Sequence, residues 1–398
     1  MISELQSKLL AILAKELFQQ DAPSFEDVDW SALLREAEQQ SVYAIVYTAV
    51  EPYLPEALLP EARAKYYANL AASVRSARQH GDIHKLLSGH GVPYVIIKGM
   101  ASASYYPQPL LRAMGDVDFL VPKERLDEAK QLLLGEGYVF TGDETHHAHL
   151  AFHRGGEVAE MHWEPNGLPQ SEKGDLCRRY LSDSIDTATQ YEIQGESFLV
   201  PDAFHHGLVM LLHTANHMVN TGVGLRHLCD WAVFAGKLEN EAFRDLFEEK
   251  LRRAGLWRFA QLLTQVSVRY LGCPSREWAM ENVDEALLTS MMTDIFAAGN
   301  FGRKDAERIN EAKLFTTQGT GTISDSNAVL FTALSEKAFI AMPLCKKVKL
   351  LLPLGWAVVA IRHLCLIARG KRPKIHIKKM VSEAEARKAI YQEFQLFE

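Results

Sequence analysis

No Cys-x-x-Cys pair occurs in this chain of 398 residues, and its five cysteines (Cys177, Cys229, Cys273, Cys345 and Cys365) are odd in number and widely scattered. That pattern excludes both a zinc ribbon and a disulfide framework. The first residues, Met1-Ile-Ser-Glu-Leu-Gln-Ser-Lys8, lack the basic and apolar regions of a signal peptide, so the cytoplasm is the expected compartment. The apolar run Leu350–Ile361 is too short to span a bilayer and is interrupted by Arg362-His363. No excess of positive charge is present: the formal net charge is −7, which excludes a general polyanion binder. Walker and dinucleotide glycine fingerprints are missing, and no internal repeat is visible. With 47% apolar and 23% charged residues, the composition is that of a globular protein with a substantial core. The length allows two or three domains.

Against these absences stands one dense stretch. Val95-Ile-Ile97 is a short strand run; Lys98-Gly99 follows as a turn and opens a short helix. After a gap, Arg112-Ala-Met-Gly-Asp116-Val-Asp118-Phe-Leu-Val121 reads as a second strand carrying two carboxylates. Strand side chains alternate, so Asp116 and Asp118 project from one face. Two carboxylates a pleat apart repel unless a cation sits between them. Mg²⁺ fits best, because it takes oxygen ligands and arrives with substrate phosphates; Mn²⁺ is the alternative ion. The plainer reading of an isolated Asp-x-Asp is a turn or a solvated face. Its setting in an apolar strand behind a Lys-Gly turn favours the metal site. Lys98 is then placed to meet a β- or γ-phosphate, or is merely a lysine at a strand end. Arg112 reads as a clamp for phosphate or carboxylate, with a salt bridge to Asp116 as the plainer option.

Downstream, His149-Leu-Ala-Phe-His153-Arg-Gly155-Gly156-Glu-Val-Ala-Glu160-Met-His162-Trp163 reads as two strands joined by a Gly-Gly turn. Ala159, Met161 and Trp163 form the apolar face; Val158, Glu160, His162 and Glu164 share the other. Glu160 is the candidate third acid, to hold an ion or to accept a proton. Glu164 has the same parity but precedes Pro165, where the strand should end.

The Ile97-Lys98-Gly99 turn, the Tyr106-Pro107 pair, the Arg112-x-Met-Gly-Asp-x-Asp-x-Leu-Val run and Glu160-Met-His162-Trp163 resemble an uncharacterised bacterial nucleotidyltransferase family of the Leu-Lys-Gly type, within the DNA polymerase β-like superfamily. The close likeness covers roughly residues 90–165 and continues more weakly to about 236. It implies a small mixed sheet on which Asp116, Asp118 and Glu160 are catalytic and bind metal, while Lys98, Gly99, Ser102 and Arg112 meet the nucleotide. The chain departs from the superfamily at Gly99-Met100, where a Gly-Ser pair is usual. Ser102 or Ser104 is the substitute donor.

The expected architecture is α+β: N-terminal helices over 1–90, a nucleotidyltransferase core over 91–200, and a larger helical region over 201–398. In the last, Pro201-Asp-Ala-Phe should open a helix with proline in its first turn. His213 and His217, four apart, could share a metal, but a partly buried face near the cleft is the simpler account. Arg226 and Asp230 read as an intrahelical pair bordering the cleft. Tyr105 and Trp163 are candidate base-stacking residues or core. The polar, glycine-rich segment Thr316–Asn327 reads as a flexible loop or lid within about 303–328. The basic segment from 345 to 380 flanks a helix expected to pack on the core, with contact to a membrane surface, RNA or another polyanion as the alternative.

The implied reaction moves a nucleoside monophosphate from an NTP to an acceptor hydroxyl or phosphate, with release of pyrophosphate. The acceptor class (small molecule, peptide, protein or RNA) is not encoded in any motif. Two rivals stand beside this: an adaptor that kept the fold without the chemistry, and a metal-dependent phosphotransferase or hydrolase using the same acids.

Overall fold

The computed structural model describes residues 2–141, 148–304, 308, 335, 338–339, 341–368 and 377–398. The segment Thr316–Asn327 and the basic cluster at 369–374 lie outside them. The architecture is α+β. Four N-terminal helices, α1 (Glu4–Phe18), α2 (Trp30–Gln39), α3 (Tyr43–Val50) and α4 (Leu59–Gly89), precede the sheet. Helix α1 starts at a capping box in which Ser3 and Gln6 satisfy each other's exposed backbone N–H groups. It buries Leu9, Ile12, Leu13 and Leu17, an i, i+3, i+4, i+8 stripe.

The main sheet has five strands in the order β1 (Val95–Ile96), β2 (Val117–Leu120), β5 (Glu157–His162), β4 (His149–Arg154), β3 (Val139–Phe140). A short helix, α5 (Met100–Ala103), links β1 toward β2, and α6 (Leu126–Gly135) follows β2. Only β2 and β5 run parallel; the other three pairings are antiparallel. Gly155-Gly156 makes the hairpin turn between β4 and β5, as the alternation predicts. After α7 (Glu172–Tyr180), strands β6 (Thr189–Ile193) and β7 (Glu196–Val200) pair with each other as a separate ribbon among the described residues.

Around β1 and β2 the sheet is covered on both faces, so every residue of β2 is buried. Val117, Phe119, Val121, Ala159 and Met161 join one core with Ile83 and Leu87 of α4. Val95, Ile97 and Leu120 face a second core built by α1, α3, α8 (Ala203–Asn220), α9 (Leu225–Lys237) and the helix Trp257–Leu271. Asp118 and Glu160 therefore point into the gap between sheet and C-terminal helices.

Two expectations change. Helix α8 begins at Ala203, capped by the Asp202 carboxylate accepting from His205 N–H at 2.9 Å, so Pro201 lies before the helix instead of in its first turn. The helix Leu352–Ala368 is not enclosed: Leu354 and Ile361 are 56% and 60% exposed, while its contact runs through buried Gly355 and the Trp356 indole donating to Ser335 Oγ. Among the described residues no helix is long and apolar enough to cross a membrane.

Candidate active site

The parallel register of β2 and β5 puts Asp118 directly beside Glu160. Asp116 precedes β2 by one residue, and one oxygen from each of the three carboxylates lies within 4.8 Å of the others. The cluster is poorly neutralised. Asp116 makes no ion pair among the described residues; the charge of Asp118, then burial and Glu160, push its carboxyl up to about 6 despite Lys98. Burial works in the same upward direction on Asp118, but Lys98 and His162 outweigh it and hold that carboxyl below the usual range. Both partners use one oxygen: Lys98 Nζ donates to Oδ1 at 2.6 Å and His162 Nε2 lies 2.9 Å from it. Oδ2 accepts no hydrogen bond from the described residues. An all-oxygen set with a raised carboxyl and an unbonded oxygen fits a hard divalent cation. Glu164 is taken by Arg178 Nε at 2.5 Å, away from this cluster.

Lys98 and Gly99 follow β1 and line the cleft beside the acids. Gly99 has φ +56°, and a Cβ there would come within 3.2 Å of His80 Nε2, so the turn requires glycine. Ser102 is buried and lines the cavity, whereas the Ser104 hydroxyl donates to Ala101 O at 2.7 Å. Of the two candidate serines, Ser102 alone borders the space beside the acids.

Arg112 is neither in solvent nor paired with Asp116. Its Nε and Nη2 donate to the two oxygens of Asp230, each at 2.7 Å, and the Tyr106 hydroxyl donates to the same carboxylate at 2.7 Å. All three groups are buried. Asp230 is therefore not the intrahelical partner of Arg226, as the spacing suggested, but the anchor of a residue 118 positions earlier. Arg226 is left with Nη1 3.5 Å from Ala113 O and a buried Nε without a partner. Burial, then the like charge of Arg112, lower its pKa to about 10. This cation makes no ion pair among the described residues, and it lines the cavity.

His213 and His217 come together as spaced, with ring centroids 4.3 Å apart, and His227 joins them at 5.7 and 5.9 Å. Burial holds all three well below the ordinary histidine range, so they are neutral. Their nitrogens do not converge on one point as tightly as the carboxylates do; the two metal-competent groups among the described residues are Asp116-Asp118-Glu160 and His149-Glu160-His162. Tyr105 stacks on His206 inside the core, and neither it nor Trp163 borders the cavity.

The space enclosed by these groups is a cleft of about 280 Å³ between sheet and helices. Sequence reasoning passed over two of its wall residues, His227 and Phe301, and over His162, the buried partner of Asp118. His162 shares the parity of Glu160 but carries no motif of its own. His227 stands beside Arg226 in sequence. Phe301 lies between two glycines whose spacing, Gly299-Asn-Phe-Gly302, was the visible signal.

Residues 26–272 match the model of a family described as an uncharacterised nucleotidyltransferase, a span that contains every carboxylate of the cleft. The chain belongs to this nucleotidyltransferase family. No curated protein matches it. The crystal structure of an antigenic nucleotidyltransferase-like protein from Paracoccidioides brasiliensis aligns over 54% of this chain and 98% of its own, at 15% identity and a TM-score of 0.32. That likeness is too loose to carry residue roles across. Phe301 lies beyond the stretch that the nucleotidyltransferase family model covers.

Proposed function

We propose that this nucleotidyltransferase transfers a nucleoside monophosphate from an NTP to an acceptor hydroxyl or phosphate, with Asp116, Asp118 and Glu160 as its metal-binding and catalytic acids. The observation that carries the reading is the incompletely neutralised cluster of three carboxylates, with Asp116 pushed up to about 6. Those three side chains would hold Mg²⁺, which when bound neutralises the triphosphate and favours in-line displacement.

The residues divide the remaining work. The acceptor oxygen attacks the α-phosphorus, its bond to the β-phosphate oxygen breaks, and pyrophosphate leaves. Glu160, held below the ordinary range by His162 against its burial, is ionised and stands ready for the acceptor's proton. Lys98 occupies a cation's place on Asp118; with the donor bound, its ammonium turns to a β- or γ-phosphate oxygen. The Gly99 turn lets backbone N–H groups approach the phosphates, with Ser102 as a side-chain donor beside them. Arg112, fixed on Asp230, presents Nη1 toward Ala113 and Met114 and holds the loop before β2 in shape while its charge faces the cleft. The Arg226 guanidinium, which makes no ion pair among the described residues, adds a third positive charge.

Asp116→Asn separates stability from function. Removing one of three repelling carboxylates should raise the melting temperature of the metal-free protein at pH 7 while abolishing Mg²⁺-dependent NTP binding. Calorimetric titration of the four NTPs with Mg²⁺ into both proteins reads the second effect. Wild-type affinity in the variant would remove the metal assignment.

A further inference from the structure

The turn Gly299-Asn-Phe-Gly302 is held between the ends of α8 and α9. A Cβ on Gly302 would lie 2.5 Å from Thr221 O, and one on Gly224 would lie 2.8 Å from the Asn300 backbone, so the chains meet at backbone distance on both sides. Asn300 is buried beneath. This clamp forces Phe301 into the left-handed region, φ 56° and ψ 35°, where a bulky residue is disfavoured. Such conformations persist where the surroundings over-determine them, and they concentrate at binding sites.

The clamp places the phenyl ring on the cleft wall. His217 and His227 meet it edge-on at 4.8 and 5.0 Å, and the Arg226 guanidinium lies 5.1 Å from its centroid. Yet the residue remains 40% exposed, although three groups pack against its ring. The ring borders the cavity that Lys98, Asp116 and Glu160 also line. One wall of the cleft therefore offers a partly exposed aromatic ring beside a partly buried cation, and the carboxylate cluster lines the same space.

We infer that Phe301 is the stacking platform for the nucleobase of the NTP donor, its ring covering the base while the triphosphate runs past Arg226 toward Lys98 and the carboxylates. The inference rests on the nucleotidyltransfer reading above. A molecule with a planar π-system at one end and several negative charges at the other matches the order of groups along the cleft, and stacking tolerates any base because each has a π-face. Phe301 falls outside the family-matched residues, so the platform is a contribution of this chain's own C-terminal region.

The test compares wild type with Phe301→Ala and Phe301→Leu, titrated with Mg²⁺ and each of the four NTPs, and separately with Mg²⁺ and inorganic tripolyphosphate. The leucine variant keeps bulk without a ring face and covers the case where the alanine variant folds poorly. Both variants should bind the preferred NTP about 5- to 150-fold more weakly, with tripolyphosphate affinity changed by less than about twofold. Equal losses for NTP and tripolyphosphate, or NTP affinity within about twofold of wild type, would overturn the platform and leave the transfer reading standing. If wild type binds tripolyphosphate and NTP with equal affinity, no base is recognised and the platform is again overturned. If wild type binds no NTP, the transfer reading falls and takes the platform with it.

Discussion

Acidification should unfold this protein well above the pH at which carboxylates titrate, because it keeps several histidines neutral in its interior. His80 and His206 are 0% and 1% exposed, and burial pushes both down to about 4; His217, largely enclosed, is held at about 4 for the same reason. His213 and His227 are displaced further in the same direction. In the unfolded chain each would titrate at the ordinary value of about 6.5. Between pH 6.5 and 4 the unfolded state thus binds more protons, so stability rises with pH and is lost as pH falls through that window. Each of the three groups at about 4 removes roughly 1.2 kcal/mol between pH 7 and 5.5, about 4 kcal/mol together, which is a large share of a typical folding free energy. Asp116 runs the other way, since a carboxyl raised to about 6 gains a proton in the folded state, but it is one group against at least three. Urea unfolding at pH 7.0, 6.0 and 5.5 measures the slope. His206 packs on Tyr105 and Phe234 with both ring nitrogens unpartnered, so His206→Leu should flatten the slope by up to about 1.4 kcal/mol per pH unit. A folding free energy at pH 5.5 within about 1 kcal/mol of its pH 7 value would refute the account.

Asp230→Ala should cost about 3–5 kcal/mol, because it strands buried Arg112 near the like charge of Arg226; replacing the pair together, Arg112→Met with Asp230→Leu, should recover most of that loss in the urea midpoint. A double variant no more stable than Asp230→Ala would mean the two side chains do not act as a pair. Gly99→Ala should destabilise by about 1–2 kcal/mol from its left-handed backbone alone and weaken NTP binding by shifting the turn; unchanged melting and affinity would show that the turn has no such constraint.

The strands and acids could be read from sequence because alternation is local: the apolar parity of Val117, Phe119 and Val121 fixes which side Asp118 takes, and the same rule places Glu160, while Glu164, of equal parity, is set aside only by Pro165 after it. The short β1 and the β4–β5 hairpin were legible for the same reason. What stayed hidden depends on contacts between distant segments. Arg226 and Asp230 have ideal helical spacing, yet Asp230 is claimed from across the fold by Arg112 and Tyr106. The helix Leu352–Ala368 reads as interior from its apolar content, but composition does not say how much of a helix finds a partner. The ribbon of β6 and β7 shows the same limit. Ser197–Val200 reads as a strand, while its exclusion from the main sheet is a matter of pairing. Phe301 was visible only as a residue between glycines; its place on the cleft wall comes from α8 and α9.

The direct pairing of Asp118 with Glu160 has a consequence for how such a chain can change over time. Forty-two positions separate the two acids in sequence, yet their spacing is set by backbone hydrogen bonds between β2 and β5 and not by their neighbours' identities. Substitutions around them can accumulate so long as each strand keeps its apolar face. The loops between α6 and β4 can lengthen or shorten with little effect on that distance. A single residue inserted within β2 or β5 is different: it would turn one acid to the opposite face of the sheet and leave its partner behind. The site is tolerant of drift in composition and intolerant of slippage by one.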